Sequence, residues 1–363
     1  MGCYNDYIVN IDVLKQNALN IKNRIGLNKK FCAVVKANAY GVGLYTVCKA
    51  LYGIADFFAC ACLKEAMSIR VFDKSTKILI LSPIDAKQLE LIVNNNISIS
   101  VGTLEQLTEI NSVVSRKVNI HLQINTGLNR FGFRNITDFT KALKIISKND
   151  NLNLEGVYSH FATKQNDIEF MNRQYLRFLQ FKKYISDKNI IFHLANSYGT
   201  IKSDKYHFDM VRNGFLLYGF TSNDINNKPV INIHSKVINI LNAKKGDTIG
   251  YDRTYKVTKN TQIAVIPVGY ADGLSRKLSN NFKVIINNKK YPIVGMICMD
   301  VFMVDIGKDN VKIGDKVILL GKSKNEKISL TDYSNNLNTS PYEILCNFNY
   351  KRMNYIIKTN KNT

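Results

Sequence analysis

Phe31-Cys-Ala-Val-Val-Lys-Ala-Asn-Ala-Tyr-Gly-Val-Gly43 reads as a buried apolar strand that finishes on a lysine and runs into a glycine-containing segment. A lysine closing such a strand points into the mouth of whatever sheet the strand joins. Desolvation there lowers its pKa and makes it a good nucleophile toward a carbonyl. Position alone also fits a lysine whose stem lies along the strand while its ammonium stays in water. Seven further apolar runs follow: Phe57–Leu63, Lys77–Leu81, Ile97–Val101, Val118–Ile124, Leu154–Ser159, Ile190–Leu194 and Met210–Leu217. Between them lie helically spaced segments, such as Leu107, Ile110 and Val114 after Thr103, and the long stretch Ile168–Ile185. Strands alternating with helices imply a parallel sheet, and eight such units within about 220 residues match a TIM-type (β/α)8 barrel. A helix with Leu14, Ala18, Ile21 and Ile25 on one face precedes the first barrel strand and reads as packing.

After about Ser235 the helical spacing fades. Ile263–Val268, Phe282–Ile286, Tyr291–Ile297, Phe302–Ile306 and Lys316–Leu320 are punctuated by Gly, Asn and Asp, and Asn287-Asn288 between two β-branched runs predicts a hairpin turn. The expected class is therefore α/β, with an N-terminal (β/α)8 barrel over residues 1–235 and a C-terminal all-β domain over 236–363. A chain of 363 residues, 45% hydrophobic and 21% charged, is a globular protein of about two domains.

The formal charge of +22 is spread along the whole chain, and only Lys351 to Lys361 resembles a basic tail, so a nucleic-acid partner is not expected. Seven cysteines, odd in number, form no CxxC pair and lie mostly in apolar runs, which predicts reduced thiols and a cytoplasmic protein. No run approaches the ~18 apolar residues of a membrane helix, and the start lacks the apolar core of a signal peptide. No His, Cys or carboxylate group has metal-ligand spacing, so no metal is expected. His121, His193, His207 and His234 read as structural.

Function in such a barrel sits at the C-terminal strand ends. Besides Lys36, these offer Arg130 after the fifth strand, His160 after the sixth, Asn196 and Ser197 after the seventh, and Arg212 with Gly214 in the eighth. Ser197, Gly214 and the glycines of Tyr40-Gly-Val-Gly43 suit a phosphate; the planar guanidinium of Arg130 suits a carboxylate.

At this point the chain resembles the alanine racemase family. The resemblance rests on Ala33-Val-Val-Lys-Ala-Asn-Ala-Tyr-Gly-Val-Gly43, followed in order by Tyr158-Ser-His-Phe-Ala162, His193-Leu-Ala-Asn-Ser197, Arg212-Asn-Gly-Phe-Leu-Leu-Tyr-Gly219, Gly250-Tyr-Asp-Arg-Thr-Tyr255, Pro267-Val-Gly-Tyr-Ala-Asp-Gly273, Gly295-Met-Ile-Cys-Met-Asp300 and Pro341-Tyr-Glu343. It implies pyridoxal 5'-phosphate carried on Lys36, and a homodimer in which the β domain of one subunit lends Tyr251 to the other's site. The implied chemistry is two-base racemisation, with Lys36 on one face of the substrate Cα and Tyr251 on the opposite face. It further implies Arg212 on the ring nitrogen, with His160 and Arg212 favouring the Tyr251 phenolate. Tyr40, Ser197, Gly214 and Tyr350 would hold the phosphate, with Asn196 and Phe215 beside them. Arg130 and the Met299 amide would hold the substrate carboxylate, and Tyr270 with Tyr350 would narrow the entrance; both tyrosines could equally be packing.

Three positions depart from the family. Gln123 replaces a lysine that many members carry as a carbamate, which excludes the carbamate and leaves Gln123 itself or a bound anion to orient Arg130. Asn125 replaces an Asp and Asn213 a Pro, so preference for alanine over serine is less firmly implied than racemase chemistry. The competing expectations are a serine or broader-specificity racemase, a non-catalytic cofactor-binding barrel, which would lack a second domain, and a barrel decarboxylase, for whose cysteine only Cys298 or Cys346 is available.

Overall fold

After a short strand β1 (Asp6–Asn10) and a helix (Ile11–Ile25), each of the eight apolar runs forms a strand of one parallel sheet in the computed structural model. These are β2 (Lys30–Val34), β3 (Phe57–Cys60), β4 (Lys77–Ile80), β5 (Ile97–Val101), β6 (Val118–Gln123), β7 (Leu152–Tyr158), β8 (Ile191–His193) and β9 (Met210–Asn213). Their neighbours run in sequence order, with β9 beside β2. Backbone bonds from Asp209 N to Phe192 O and from Arg212 N to Ala195 O, each 2.9 Å, bring the β8 and β9 ends of the sheet together. The strands read as near-continuous apolar runs because both faces are covered: Phe57 to Cys60 and Ile97 to Val101 are buried throughout. The last run was expected to reach Leu217, but β9 stops at Asn213 and the chain enters a turn at Gly214. Connecting helices start where their caps predict. Thr103 accepts from Gln106 N ahead of Leu104–Val113, and Asp167 accepts from Phe170 N ahead of Ile168–Lys182. The early helix buries Leu14, Ala18, Ile21 and Ile25.

Residues 4–162, 167–220, 225–348 and 350–359 are described, and they fall into two units. The barrel unit comprises Leu14–Ala39 and Gly43–Lys228; the β-rich unit comprises Met1–Val13, Tyr40–Val42 and Pro229–Thr363. A single cut at 235/236 is therefore not where the chain divides. Strand β10 begins at Ile231, and β1 pairs with it (Tyr7↔Ile233), so the first strand belongs to the C-terminal sheet.

That sheet follows β10 (Ile231–Lys236) with β11 (Asn239–Ala243), β12 (Thr248–Ile249), β13 (Tyr255–Lys256), β14 (Thr261–Ile266), β15 (Lys283–Ile286), β16 (Lys289–Val294), β17 (Phe302–Gly307), β18 (Lys316–Lys322), β19 (Lys327–Ile328) and β20 (Asn354–Lys358). The main order is β11-β14-β17-β16-β15-β18-β10-β1-β20; β19 pairs β18, and β12 and β13 form a separate ribbon. Pairing is antiparallel except for β1 with β20, which run parallel (Tyr7↔Tyr355). The Asn287-Asn288 turn joins β15 to β16 with both residues at positive φ, 48° and 65°, the backbone of a two-residue hairpin that asparagine tolerates. The unit also carries two short helices, Leu330–Leu337 behind a Ser329/Asp332 capping box and Pro341–Asn347 behind Ser340.

Candidate active site

Directly after Lys36 the backbone changes hand. Ala37, Asn38, Ala39 and Tyr40 have φ of 53°, 53°, 54° and 58°, one turn of left-handed helix built without glycine. At about 1–2 kcal/mol per L-residue, four such residues cost roughly 4–8 kcal/mol. Surrounding hydrogen bonds hold the turn. Ala37 N donates to Glu65 Oε1 (2.7 Å), Leu44 N to Asn38 Oδ1 (2.8 Å), Gly43 N to Asn38 O (3.0 Å) and Ala39 N to Val35 O (2.8 Å). Glu65 is fixed in turn by Ala61 N (2.8 Å). Strain concentrated directly after one lysine and over-determined by its neighbours is a mark of a functional position.

Behind Lys36, at the ends of β7 to β9, lies Arg212. It is 3% exposed, and four bonds fix its guanidinium: Nη1 to His193 Nδ1 (2.8 Å) and His193 O (3.1 Å), Nη2 to Ser159 O (2.7 Å) and His160 Nδ1 (3.2 Å). Its face lies on the Tyr158 ring, 5.0 Å from the centroid. Burial, then the charges of Arg212, Arg130 and Lys36, push the His160 imidazole down to about 3, so it stands neutral and accepts from Arg212. The barrel thus brings Lys36, Arg130, His160 and Arg212 into one electrostatic neighbourhood.

Asn196 caps the helix Ser197–Lys202 by accepting from Gly199 N (3.0 Å). Ser197 Oγ accepts from Leu216 N (3.1 Å), tying the Gly214-Phe215 turn to that helix start, and Phe215 packs on Phe220. Arg130 is exposed, lies over the Phe131 ring (5.6 Å) and lines a cavity of about 260 Å³ with Ser100, Gln123, Asn125 and Arg134. Gln123 does not orient it: the Gln123 oxygen accepts from Tyr158 OH (3.0 Å). Asn125 braces its own loop, accepting from Gly127 N and Asn129 N. Asn213 is fully buried, and neither atom of its carboxamide has a partner among the described residues.

The β-rich unit holds the remaining predicted residues. Tyr251 is 68% exposed, Met299 52% and Tyr270 44%. Their loops are braced together: Tyr270 N donates to Cys298 O and Ala271 N to Met299 O, both 3.1 Å. Gly250 abuts Met296, and Gly295 abuts Ile249 O. Tyr7 connects the Tyr40 and Tyr350 segments, donating from its hydroxyl to Gly41 O (3.1 Å) and packing on the Tyr350 ring (5.8 Å). Tyr40 packs on Tyr342 at 5.3 Å. Gly41, at φ +82°, approaches so closely that a Cβ would lie 2.6 Å from Leu345 O. Among the described residues no group of three or more His, Cys, Asp or Glu could hold a metal, and no helix is long and apolar enough to cross a membrane.

Sequence reasoning passed over Glu65, whose carboxylate organises the left-handed turn, and treated His121 and His193 only as structural. His121 and Gln123 alternate inside the apolar run Val118–Ile124, and that polar period within a barrel strand was the available signal.

The family model "Alanine racemase, N-terminal domain" matches residues 9–222, and "Alanine racemase, C-terminal domain" matches 230–356. "Alanine racemase 2" of Caldanaerobacter subterraneus subsp. tengcongensis is 35% identical over 93% of this chain and 91% of its own length. The crystal structure of alanine racemase from Bacillus anthracis with bound L-Ala-P superposes with a TM-score of 0.91 at 31% identity, over 99% of this chain and 96% of that one. That of Bartonella henselae, with covalently bound pyridoxal phosphate, gives 0.90 at 25% identity, over 98% and 99%.

Proposed function

This chain belongs to the alanine racemase family, and we propose that it interconverts L- and D-alanine with pyridoxal 5'-phosphate, supplying D-alanine for peptidoglycan. The observation that carries the reading is the grouping of Lys36, Arg130 and Arg212 around a neutral His160 at the C-terminal strand ends. An amine and two guanidinium groups fit an anionic carbonyl compound. Lys36 offers the nucleophile for an aldehyde, Arg212 a donor for the ring nitrogen, and Ser197 with the Gly214-Phe215 turn a cradle for a phosphate.

When bound, the cofactor withdraws electrons from the substrate Cα and acidifies its proton. The Lys36 amine takes or returns that proton on one face. Tyr251 acts on the other, because a proton removed from one side must be replaced from the opposite side if configuration is to invert. Arg212 stays protonated, as guanidinium groups do, and donates to the ring nitrogen, which keeps the electron sink weak and disfavours transamination. Arg130 and the Met299 amide hold the substrate carboxylate, and Tyr270 with Tyr350 limits side-chain size. The active assembly is a homodimer in which each subunit lends its Tyr251. The exposure of Tyr251, Tyr270 and Met299, the last two on hydrogen-bonded loops, supports this, since exposed large apolar side chains mark an interaction site where they gather. The protein works in the cytoplasm, consistent with cysteines Cys32, Cys48, Cys60, Cys62 and Cys298 outside any disulfide.

Borohydride reduction of the purified protein followed by peptide mapping should place the label on Lys36. Circular dichroism with L-alanine, L-serine and L-lysine should show loss of optical activity with L-alanine foremost. Loss with none of the three, or a label elsewhere, defeats the proposal. Full activity in Tyr251→Phe would favour a different second base.

A further inference from the structure

From Arg212 a line of hydrogen bonds runs through the barrel interior away from the mouth. His193 Nδ1 faces Arg212 Nη1 at 2.8 Å, His193 Nε2 faces His121 Nδ1 at 2.8 Å, and His121 Nε2 faces Glu155 Oε2 at 3.1 Å. Glu155 also accepts from Ser98 Oγ (2.5 Å) and from Lys77 Nζ (2.6 Å), whose side chain is half exposed at the start of β4. His121, His193 and Arg212 are 0%, 0% and 3% exposed. The Tyr158 ring stacks on His193 at 4.9 Å, and the edge of Phe57 meets His121 at 6.1 Å. Gly156 makes room: a Cβ there would stand 2.3 Å from His121 Nδ1.

The chemistry of the two ends fixes every proton between them. A guanidinium can only donate and a carboxylate can only accept. Nδ1 of His193 must therefore be bare and Nε2 protonated; the same follows for His121, whose Nε2–H then points at Glu155. Both ends demand the same sense. We infer that His193, His121 and Glu155 form a proton-ordered strut of positioning residues that fixes the Arg212 guanidinium against the cofactor ring. The ordering, rather than the carboxylate charge, is what the strut supplies. This rests on Arg212 facing the ring nitrogen, as proposed above.

Long-range proton–nitrogen spectra of the holoenzyme labelled with 15N-histidine should show His121 and His193 neutral and protonated on Nε2, assigned by the losses in His121→Gln and His193→Gln. An Nδ1–H tautomer or an imidazolium at either position overturns the inference, whether or not the protein is a racemase. Glu155→Gln keeps an acceptor oxygen and should retain the tautomers, the visible band of the bound cofactor and a near-normal kcat. Glu155→Leu removes the acceptor. It should shift that band and lower kcat roughly ten-fold, with KM for alanine little changed. Equal losses in both variants would overturn the ordering, as would an unshifted band with full kcat in Glu155→Leu. Should Glu155→Leu fail to fold, the tautomers of the wild type and of Glu155→Gln decide.

Discussion

Acidifying the protein from about pH 7.5 to about pH 5.5 should remove roughly 3 kcal/mol of folding stability through two histidines, with a third acting in the same direction. His121, His160 and His193 sit inside the barrel, and all are held below their ordinary value of 6.5, His160 at about 3. Burial leads in each case. For His121 it outweighs the favourable bond to Glu155; for His160 and His193 the Arg212 charge adds to it. Because the folded pKa lies below the unfolded one, the unfolded chain binds more protons throughout the window. Stability is therefore full above 6.5 and is lost as pH falls toward the folded values. Between these two pH values a group with an unfolded pKa near 6.5 and a folded one far below it contributes between about 1 and 2 kcal/mol, so His160 and His193 together give roughly 3 kcal/mol, a large part of the ~5–15 kcal/mol typical of a domain, and His121 adds to it. His207 and His234 are lowered as well, mainly by burial, and act in the same direction. Glu155, held near 2 by bonds from His121, Lys77 and Ser98 that outweigh its burial, loses its contribution only below its ordinary 4.5, outside this window. Denaturant midpoints of the holoenzyme at both pH values, with proton uptake on unfolding measured by calorimetry in two buffers, provide the assay. A change under about 1 kcal/mol, or uptake of less than about one proton, would refute the reasoning.

Ala37→Gly should stabilise rather than destabilise, by about 0.5–1 kcal/mol, because glycine relieves the left-handed penalty at an exposed residue for a smaller entropic cost; a small rise in Tm checks it. Asn213→Leu, which replaces an unpartnered buried carboxamide with an apolar group of similar shape, should raise stability by about 1–3 kcal/mol, and an unchanged or lowered Tm would show that the amide is satisfied. Arg130→Ala should raise KM for alanine about 10- to 100-fold with a smaller effect on kcat, as expected for the loss of a charged hydrogen bond to the carboxylate.

The barrel was legible because most strands, covered on both faces, are near-continuous apolar runs, and because Thr103 announces its helix. The hairpin was legible because asparagine tolerates positive φ. Strand β1 was not. Asp-Tyr-Ile-Val-Asn is five residues long, and its partners lie at Ile231–Lys236 and Asn354–Lys358, so nothing local marks it as part of the distant sheet. Nor was the left-handed turn. Ala37 and Ala39 are good right-handed helix formers, and their conformation follows from bonds that only the folded neighbourhood supplies, above all that from Ala37 N to Glu65. The helix Leu330–Leu337 was overlooked although Ser329 and Asp332 spell its capping box. Among candidate site residues, the strand-end position of Lys36 and Arg212 could be read from pattern. Gln123 could be named, but not its commitment to Tyr158, which depends on a strand thirty-five residues away.

The parallel pairing of β1 with β20 has a bearing on biosynthesis. Tyr7 is translated before the whole barrel, and its neighbour Tyr355 after it. Until β20 is made, β1 presents an unsatisfied edge, while the barrel encoded between the two strands can already close. Nascent chains would then be most prone to aggregate before β20 emerges, and removing β20 would injure an early-made strand as much as the late-made segment around it.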